Sequence, residues 1–326
     1  MICAKGNEQD RWLREGSGEL SGRCGFYALC YFQMTHSKPR FNRQELALLI
    51  LTMVWGGTFF AIQQALTVSG PLFFVGIRFL IATMFILLIS ARTLRGLTRR
   101  EVQAGITTGA SIYVGFVLLA YGLQTISSSK AAFITALYVP AVPILQWGFL
   151  RKPPRLMSWI GIGFAFAGLL LLAGPEAGSG DFGWGEILTL LGAVSIAVEI
   201  ILIGRYAGSV DSRRITVVQV AVTSFLAFAT MPIAREMFPP FSWLLVGIAC
   251  GLGLASAGIQ VTMNWAQKSV SPTRATVIYA CEPVWAGLVG YAAGERITAF
   301  ALIGASLIVT GVLVSEWKSE NQQAPA

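Results

Sequence analysis

Apolar runs of about twenty residues follow one another along this chain, separated by short polar breaks. A helix crossing a bilayer core near 30 Å thick needs about 20 such residues. Ten runs meet that length, at roughly 45–67, 71–91, 101–124, 129–150, 156–174, 185–206, 213–233, 242–267, 272–293 and 298–317. They are continuous, unlike the alternating segments of about ten residues that build a membrane β-barrel. Breaks such as Ser69-Gly70-Pro71 and Ser127-Ser128-Ser129 leave room only for tight antiparallel hairpins. The pattern predicts an all-α integral membrane protein with ten transmembrane helices.

The runs also repeat. At an offset of 143, Gly115, Gln124, Ser128, Ala132, Pro140, Gly161 and Gly168 fall on Gly258, Gln267, Ser271, Ala275, Pro283, Gly304 and Gly311. At an offset of 141, Glu45 falls on Glu186 and Arg78 on Gln219. Helix breakers and polar residues are the rare letters of apolar sequence, so their coincidence signals one unit built twice. A half with five spans ends on the side opposite to its start, so the second copy runs inverted. Such halves characterise transporters whose site lies between the repeats. The predicted organisation is a leader at 1–44, a first five-helix repeat at 45–174 and a linker at 175–184. An inverted second repeat at 185–317 and a tail at 318–326 complete it.

Composition agrees. Hydrophobic residues make up 55% of the chain and charged ones 12%, against a usual charged share of about 25%. Loop charges set the orientation. With the N-terminus inside, Lys38, Arg40, Arg43, Arg92, Arg95, Arg99, Arg100, Arg151, Lys152, Arg155, Arg205, Arg213, Arg214, Lys268, Arg274 and Lys318 are cytoplasmic. The other side receives Lys130, Arg235 and Arg296. Both termini are therefore expected in the cytoplasm. The net charge of +8 reads as this orientation signal, and nucleic acid is not an expected partner.

Met1 to Arg23 is rich in charges, Gly and Ser, and is followed by an apolar run from Cys24 to Met34. That run is too short to span and has no small-residue cleavage site. Met34 precedes the basic stretch Thr35-His36-Ser37-Lys38-Pro39-Arg40, so it is the expected true start, with 1–33 an unfolded extension. The five cysteines offer no disulfide or metal framework.

Enzymatic chemistry is poorly supplied. His36 is the sole histidine, and no phosphate-binding glycine loop is present. No enzyme, cofactor or metal is expected. What remains is three charges deep in helices: Arg78, Glu199 and Glu282. Each costs at least about 2.5–3.5 kcal/mol at depth and normally faces a cavity or a partner. Glu282 lies about ten residues into its run, near 15 Å and so at the midplane. Pro283 follows it, and Pro140 holds the equivalent place in the first half. Two symmetry-related kinks there would expose backbone polar groups. Glu282 is open to three roles: proton carrier, partner of a substrate amine, or structural acceptor. Arg78 stays charged and needs an anion, with Glu282, Glu199, a lipid phosphate or a substrate carboxylate as candidates. Glu199, nearer the cytoplasmic end, can snorkel. Tyr138 and Tyr279 lie about one turn from the paired prolines and are expected to line a central cavity. Trp55 and Phe59 are weaker members, because Gly56 and Gly57 between them read first as a close helix approach.

These residues together resemble the EamA family of the drug/metabolite transporter superfamily. The likeness runs from about Glu45 to Trp317. It rests on Trp55-Gly56-Gly57-Thr58-Phe59, Pro71 with Arg78-Phe79, and the segment Ala131 to Pro140. Glu282-Pro283-Val284, Gly294-Glu295-Arg296-Ile297-Thr298, Gly304 and Gly311 complete it. It departs from the family pattern at Arg151-Lys152-Pro153 and at Ile196 and Glu199. The resemblance implies a secondary transporter of the bacterial inner membrane, an exporter or exchanger of small organic metabolites, amino acids or drug-like molecules. Such a carrier works by alternating access, with the small-molecule substrate and the lipid bilayer as its partners. The expected substrate-binding residues are Trp55, Phe59, Arg78, Tyr138, Tyr279 and Glu282, with Glu282 also the candidate for proton coupling. The alternative is a lipid flippase or scramblase, with Arg78 holding a headgroup phosphate.

Overall fold

The computed structural model describes residues 42–150, 159–161, 163, 164, 167, 168, 171, 183–292, 294 and 299–316. The expectations for the leader, most of the linker, the tail, Arg151, Lys152, Glu295 and Arg296 lie outside the described residues. Helix is the one regular structure among those described. The first half holds α1 (Arg43–Leu66), α2 (Pro71–Ser90), α3 (Arg99–Gly122), α4 (Ser128–Thr135) and α5 (Tyr138–Leu150). The described residues between 159 and 171 are helical. The second half holds α6 (Trp184–Tyr206), α7 (Ser212–Thr230), α8 (Trp243–Ala266), α9 (Pro272–Tyr279), α10 (Glu282–Ala292) and α11 (Ala299–Glu316).

Six stretches are long and apolar enough to cross a membrane: α1, α2, α3, α4 with α5, α6 and α8. Large apolar side chains face outward, with Leu88, Ile233 and Phe225 exposed by 83%, 82% and 70%. A surface of that kind belongs against lipid. Trp184 and Trp243 stand exposed at the starts of α6 and α8, as aromatic anchors at a membrane interface do.

Two ion pairs show how the halves interlock. Arg274 Nε at the start of α9 meets Glu45 Oε1 at the start of α1, at 2.6 Å. Lys130 Nζ at the start of α4 meets Glu186 Oε1 at the start of α6, at 2.5 Å. Each first helix is thus tied to the broken helix of the other half. The extensive helix interfaces follow the same exchange. α3 packs on α6 and α7, α8 on α1 and α2, α10 on α1 and α4, and α5 on α6 and α9. Glycine permits the closest approaches. A Cβ at Gly56 of α1 would lie 2.7 Å from the Glu282 carbonyl oxygen, so α10 can cross α1 there only over a bare backbone. Gly168 likewise meets the Gly304 carbonyl of α11.

The ends are closed by polar caps. Thr98 and Glu101 form a capping box on α3, and Glu101 Oε1 also accepts from the Asp211 amide and pairs with Arg214. The start of α2 has Gly70 and no side-chain cap of its own. Glu236, from the loop after α7, supplies a carboxylate to the Leu72 and Phe73 amides at 3.1 and 2.7 Å. Arg235 takes a left-handed φ of 54° in the turn that delivers it. A negative group at a helix N-terminus satisfies free amides and the helix dipole together.

The two runs expected to kink are interrupted outright. α4 stops at Thr135 and α5 starts at Tyr138; α9 stops at Tyr279 and α10 starts at Glu282. The breaks precede the prolines instead of centring on them. Pro140 and Pro283 sit in the first turns of α5 and α10. Proline has no amide hydrogen to leave unsatisfied there, whereas inside a helix it would lose a bond and clash one turn back.

Candidate functional site

The second break delivers a carboxyl to the centre of the bundle. Glu282 is the first residue of α10 and is 1% exposed. Tyr138, the first residue of α5, donates its hydroxyl to Glu282 Oε2 at 2.8 Å. Glu282 Oε1 has no hydrogen-bond partner. The two helix breaks therefore meet through one hydrogen bond. Pro140 and Pro283 lie in the first turns of the helices that these breaks begin.

Aromatic rings wall this carboxyl. Trp55 of α1 stacks on Tyr138 with centroids 6.3 Å apart and planes at 13°. Tyr279, the last residue of α9, meets Trp55 edge-on at 5.7 Å and Tyr138 at 6.5 Å. Phe59, one turn further along α1, is buried in the same apolar cluster. Negative ring faces beside a carboxylate make an environment that attracts cations. Trp55, Tyr138, Tyr279 and Glu282 are thus brought together, with Phe59 in the apolar core that surrounds them.

Arg78 is not among them. It is 1% exposed, its Nε donates to Ser256 Oγ at 2.6 Å, and its guanidinium lies 5.0 Å from the Phe116 ring centre. It meets no carboxylate among the described residues, so the anticipated ion pair with Glu282 or Glu199 is absent. An aromatic face and a hydroxyl stabilise the guanidinium in place of a counterion. Glu199 departs from expectation too. It does not reach for the helix end but is 0% exposed. Gln260 Nε2 donates to its Oε1 at 3.0 Å, and Gln219 Nε2 donates to Gln260 Oε1 at 2.6 Å.

Several polar residues that the charge pattern did not single out complete this region. The Glu199 Oε2 atom, the Tyr279 hydroxyl, both polar atoms of Gln267 and Gln219 Oε1 are buried without a hydrogen-bond partner. The Tyr279 hydroxyl faces the Gln267 amide and lies within electrostatic reach of both Glu199 and Glu282. A signal was present in the sequence: Gln267 and Gln219 are the repeat counterparts of Gln124 and Arg78, and an amide in an apolar helix is as rare as a charge. A cleft of about 450 Å³ between α5, α6 and α9, lined by Gln146, Ile201, Gly204 and Pro272, approaches from one end. A Cβ at Gly204 would lie 2.3 Å from Pro272 Cγ and 3.5 Å from Gln267 Oε1, so the cleft stops just short of this polar group.

Comparison with known proteins gives a consistent result. The profile of the EamA-like transporter family matches residues 43–174 and 183–317. An uncharacterized transporter of Archaeoglobus fulgidus is 26% identical over 271 residues, covering 83% of this chain and 84% of the relative. The uncharacterized inner membrane transporter YedA of Escherichia coli strain K12 is 29% identical over 279 residues, covering 82% and 89%. One solved crystal structure superposes with a TM-score of 0.65 at 17% identity, covering 88% of this chain and 100% of the other. That likeness bears on the fold alone.

Proposed function

Because the chain belongs to the EamA-like transporter family, we propose that it is a secondary transporter carrying small organic solutes by alternating access. The site lies between its two inverted five-helix halves. The observation that carries this reading is Glu282. It is a buried carboxyl at the junction of two broken helices, with one oxygen bonded to Tyr138 and the other unpartnered inside aromatic walls. Interrupted helices free backbone groups at the depth where carriers hold their substrates. Trp55, Phe59, Tyr138, Tyr279 and Glu282 contact the solute; Pro140 and Pro283 position the breaks. Arg78 supports the fold of α2 against α8. The cleft beside Gly204 is the approach from the cytoplasm, closed in this state by Pro272.

Glu282 couples the cycle to protons. The titratable groups within electrostatic reach of it are Tyr138 and Tyr279. Exposed first to one side and then the other, the carboxyl releases a proton as solute binds, which drives export. The protein resides in the cell inner membrane with both termini in the cytoplasm, organised as 45–174 and 185–317 around the linker 175–184.

Counterflow in proteoliposomes tests the transport reading. A solute chosen by its thermal stabilisation of the purified protein should exchange saturably across the membrane. Translocation of labelled lipid without solute counterflow identifies a scramblase instead. For orientation, cysteines placed at Ser179 and Glu295 should react with impermeant reagents from outside intact cells, and one at Ser212 should not. Labelling at Ser212 but not Ser179 reverses the topology.

A further inference from the structure

The centre of the molecule carries two buried carboxyls, neither of them ion-paired with a cation among the described residues. Glu282 and Glu199 each accept one hydrogen bond from a neutral donor, Tyr138 and Gln260, and each keeps a second oxygen buried without a partner. No ion pair joins either carboxyl to a cation among the described residues; Arg78 is engaged by Ser256, Arg274 by Glu45, Lys130 by Glu186 and Arg214 by Glu101. Buried charges persist only when paired. Each carboxyl therefore either holds a proton or meets a positive charge brought by a ligand that takes the proton's place.

A second feature points the same way. Tyr279, Trp55 and Tyr138 set ring faces and edges beside Glu282, the surroundings that attract an alkylammonium group. Around Glu199 the surroundings change to amides. Gln260 and Gln219 form a chain behind it, the Gln267 amide and the Tyr279 hydroxyl face each other, and Glu199 Oε2 and Gln219 Oε1 are buried without partners. Unpartnered groups of this kind are costly unless a bound molecule satisfies them. Tyr279 stands between an aromatic pole and an amide pole, each holding one carboxyl.

We propose that the cargo site has two carboxyl poles, Glu282 and Glu199, and takes a small aliphatic diamine. One ammonium lies at Glu282 among the rings and the other at Glu199 among the amides, with the hydrocarbon stem along Tyr279. This rests on the transport reading above and names its substrate class. A monoamine would leave one carboxyl unpaired; a diacid would place like charges together. A diamine satisfies both poles at once.

The test uses the purified full-length protein, with 1,4-diaminobutane, butylamine, 1,4-butanediol and succinate as probes in thermal-shift titrations. The expected result is stabilisation by the diamine at a concentration about tenfold or more below that needed for butylamine, since a second charged pair contributes at least 1.4 kcal/mol. The diol and the diacid should give none. Glu199→Gln should bring the diamine down to the level of butylamine while leaving butylamine binding in place. Should that variant not fold, Glu199→Asp keeps the charge on a shorter arm and should shift the preference to 1,5-diaminopentane. Equal binding of diamine and butylamine, stabilisation by succinate or the diol alone, or no stabilisation by the diamine overturns the proposal. Counterflow of a non-amine solute without diamine stabilisation overturns it too, while leaving the transport reading standing. Diamine stabilisation without counterflow of 1,4-diaminobutane upholds the two-pole site and counts against transport.

Discussion

The two halves match at their rims and differ at their centre. At the rim, Glu45 and Glu186 occupy equivalent positions, and each pairs with a basic residue at the start of the other half's broken helix. At the centre the equivalences fail. Glu282 corresponds to Val139, Glu199 to Thr58, Arg78 to Gln219, Trp55 to Ile196, Tyr138 to Cys281 and Tyr279 to Ala136. Every ionisable or aromatic residue of the site faces a neutral or aliphatic counterpart in the other copy. The pseudo-symmetric fold needs repeated breakers, glycines and rim charges. Two poles with unlike surroundings, one aromatic and one amide, need different chemistry from each half, and duplication leaves the second copy free to diverge there.

The sharpest way to break this contrast is at Glu282. Glu282→Gln keeps shape and can still accept from Tyr138, so it should fold. It should reduce proton-gradient-driven accumulation by at least about tenfold, equivalent to 1.4 kcal/mol, while solute exchange persists. Transport by the unaltered protein that ignores the pH gradient removes the proton role altogether.

Gly56→Val tests the interlock of α1 with α10, where a Cβ would lie 2.7 Å from the Glu282 carbonyl. Overpacking of this kind costs about 1–3 kcal/mol, read as a lower unfolding temperature and reduced folded yield. Wild-type stability would show that α10 does not cross α1 there.

Arg78→Gln makes the second helix of the first half resemble its copy at Gln219. Loss of the contacts with Ser256 and Phe116 should cost about 1–2 kcal/mol of stability. Solute affinity should hold, because Arg78 stands apart from the aromatic group. A large loss of affinity at normal stability would return Arg78 to the binding site.

The smallest effects belong to the rim. Double-mutant cycles of Glu45 with Arg274 and of Glu186 with Lys130 should each give a coupling of about 0.2–1 kcal/mol, since both pairs are partly solvated. Similar values at the two ends support their equivalence. A coupling in one pair and none in the other would show that the rims have diverged as well.

The all-helical membrane fold was legible along the chain, because only long apolar runs satisfy a bilayer and only rare polar letters can mark a repeat. The described helix ends fall close to those read from the runs. The same rarity pointed to Arg78, Glu199 and Glu282, and the placement of Tyr138 and Tyr279 near the prolines put them beside one another. Periodicity could not reveal that the fourth and ninth runs are each two helices, because an apolar stretch reads the same whether or not its backbone continues. Nor could it show that the prolines begin the second pieces.

Partnership was beyond the sequence. Charge alone joined Arg78 to a carboxylate, yet tertiary packing gave it Ser256 and an aromatic face. Packing also gave Glu282 to Tyr138, 144 positions away, and Glu199 to Gln260, 61 positions away. It brought Glu236 to the bare start of α2 across 164 positions. Hydropathy is a property of each segment and can be summed along the chain. Which buried polar groups meet depends on how helices from opposite halves cross, and only the folded bundle decides that.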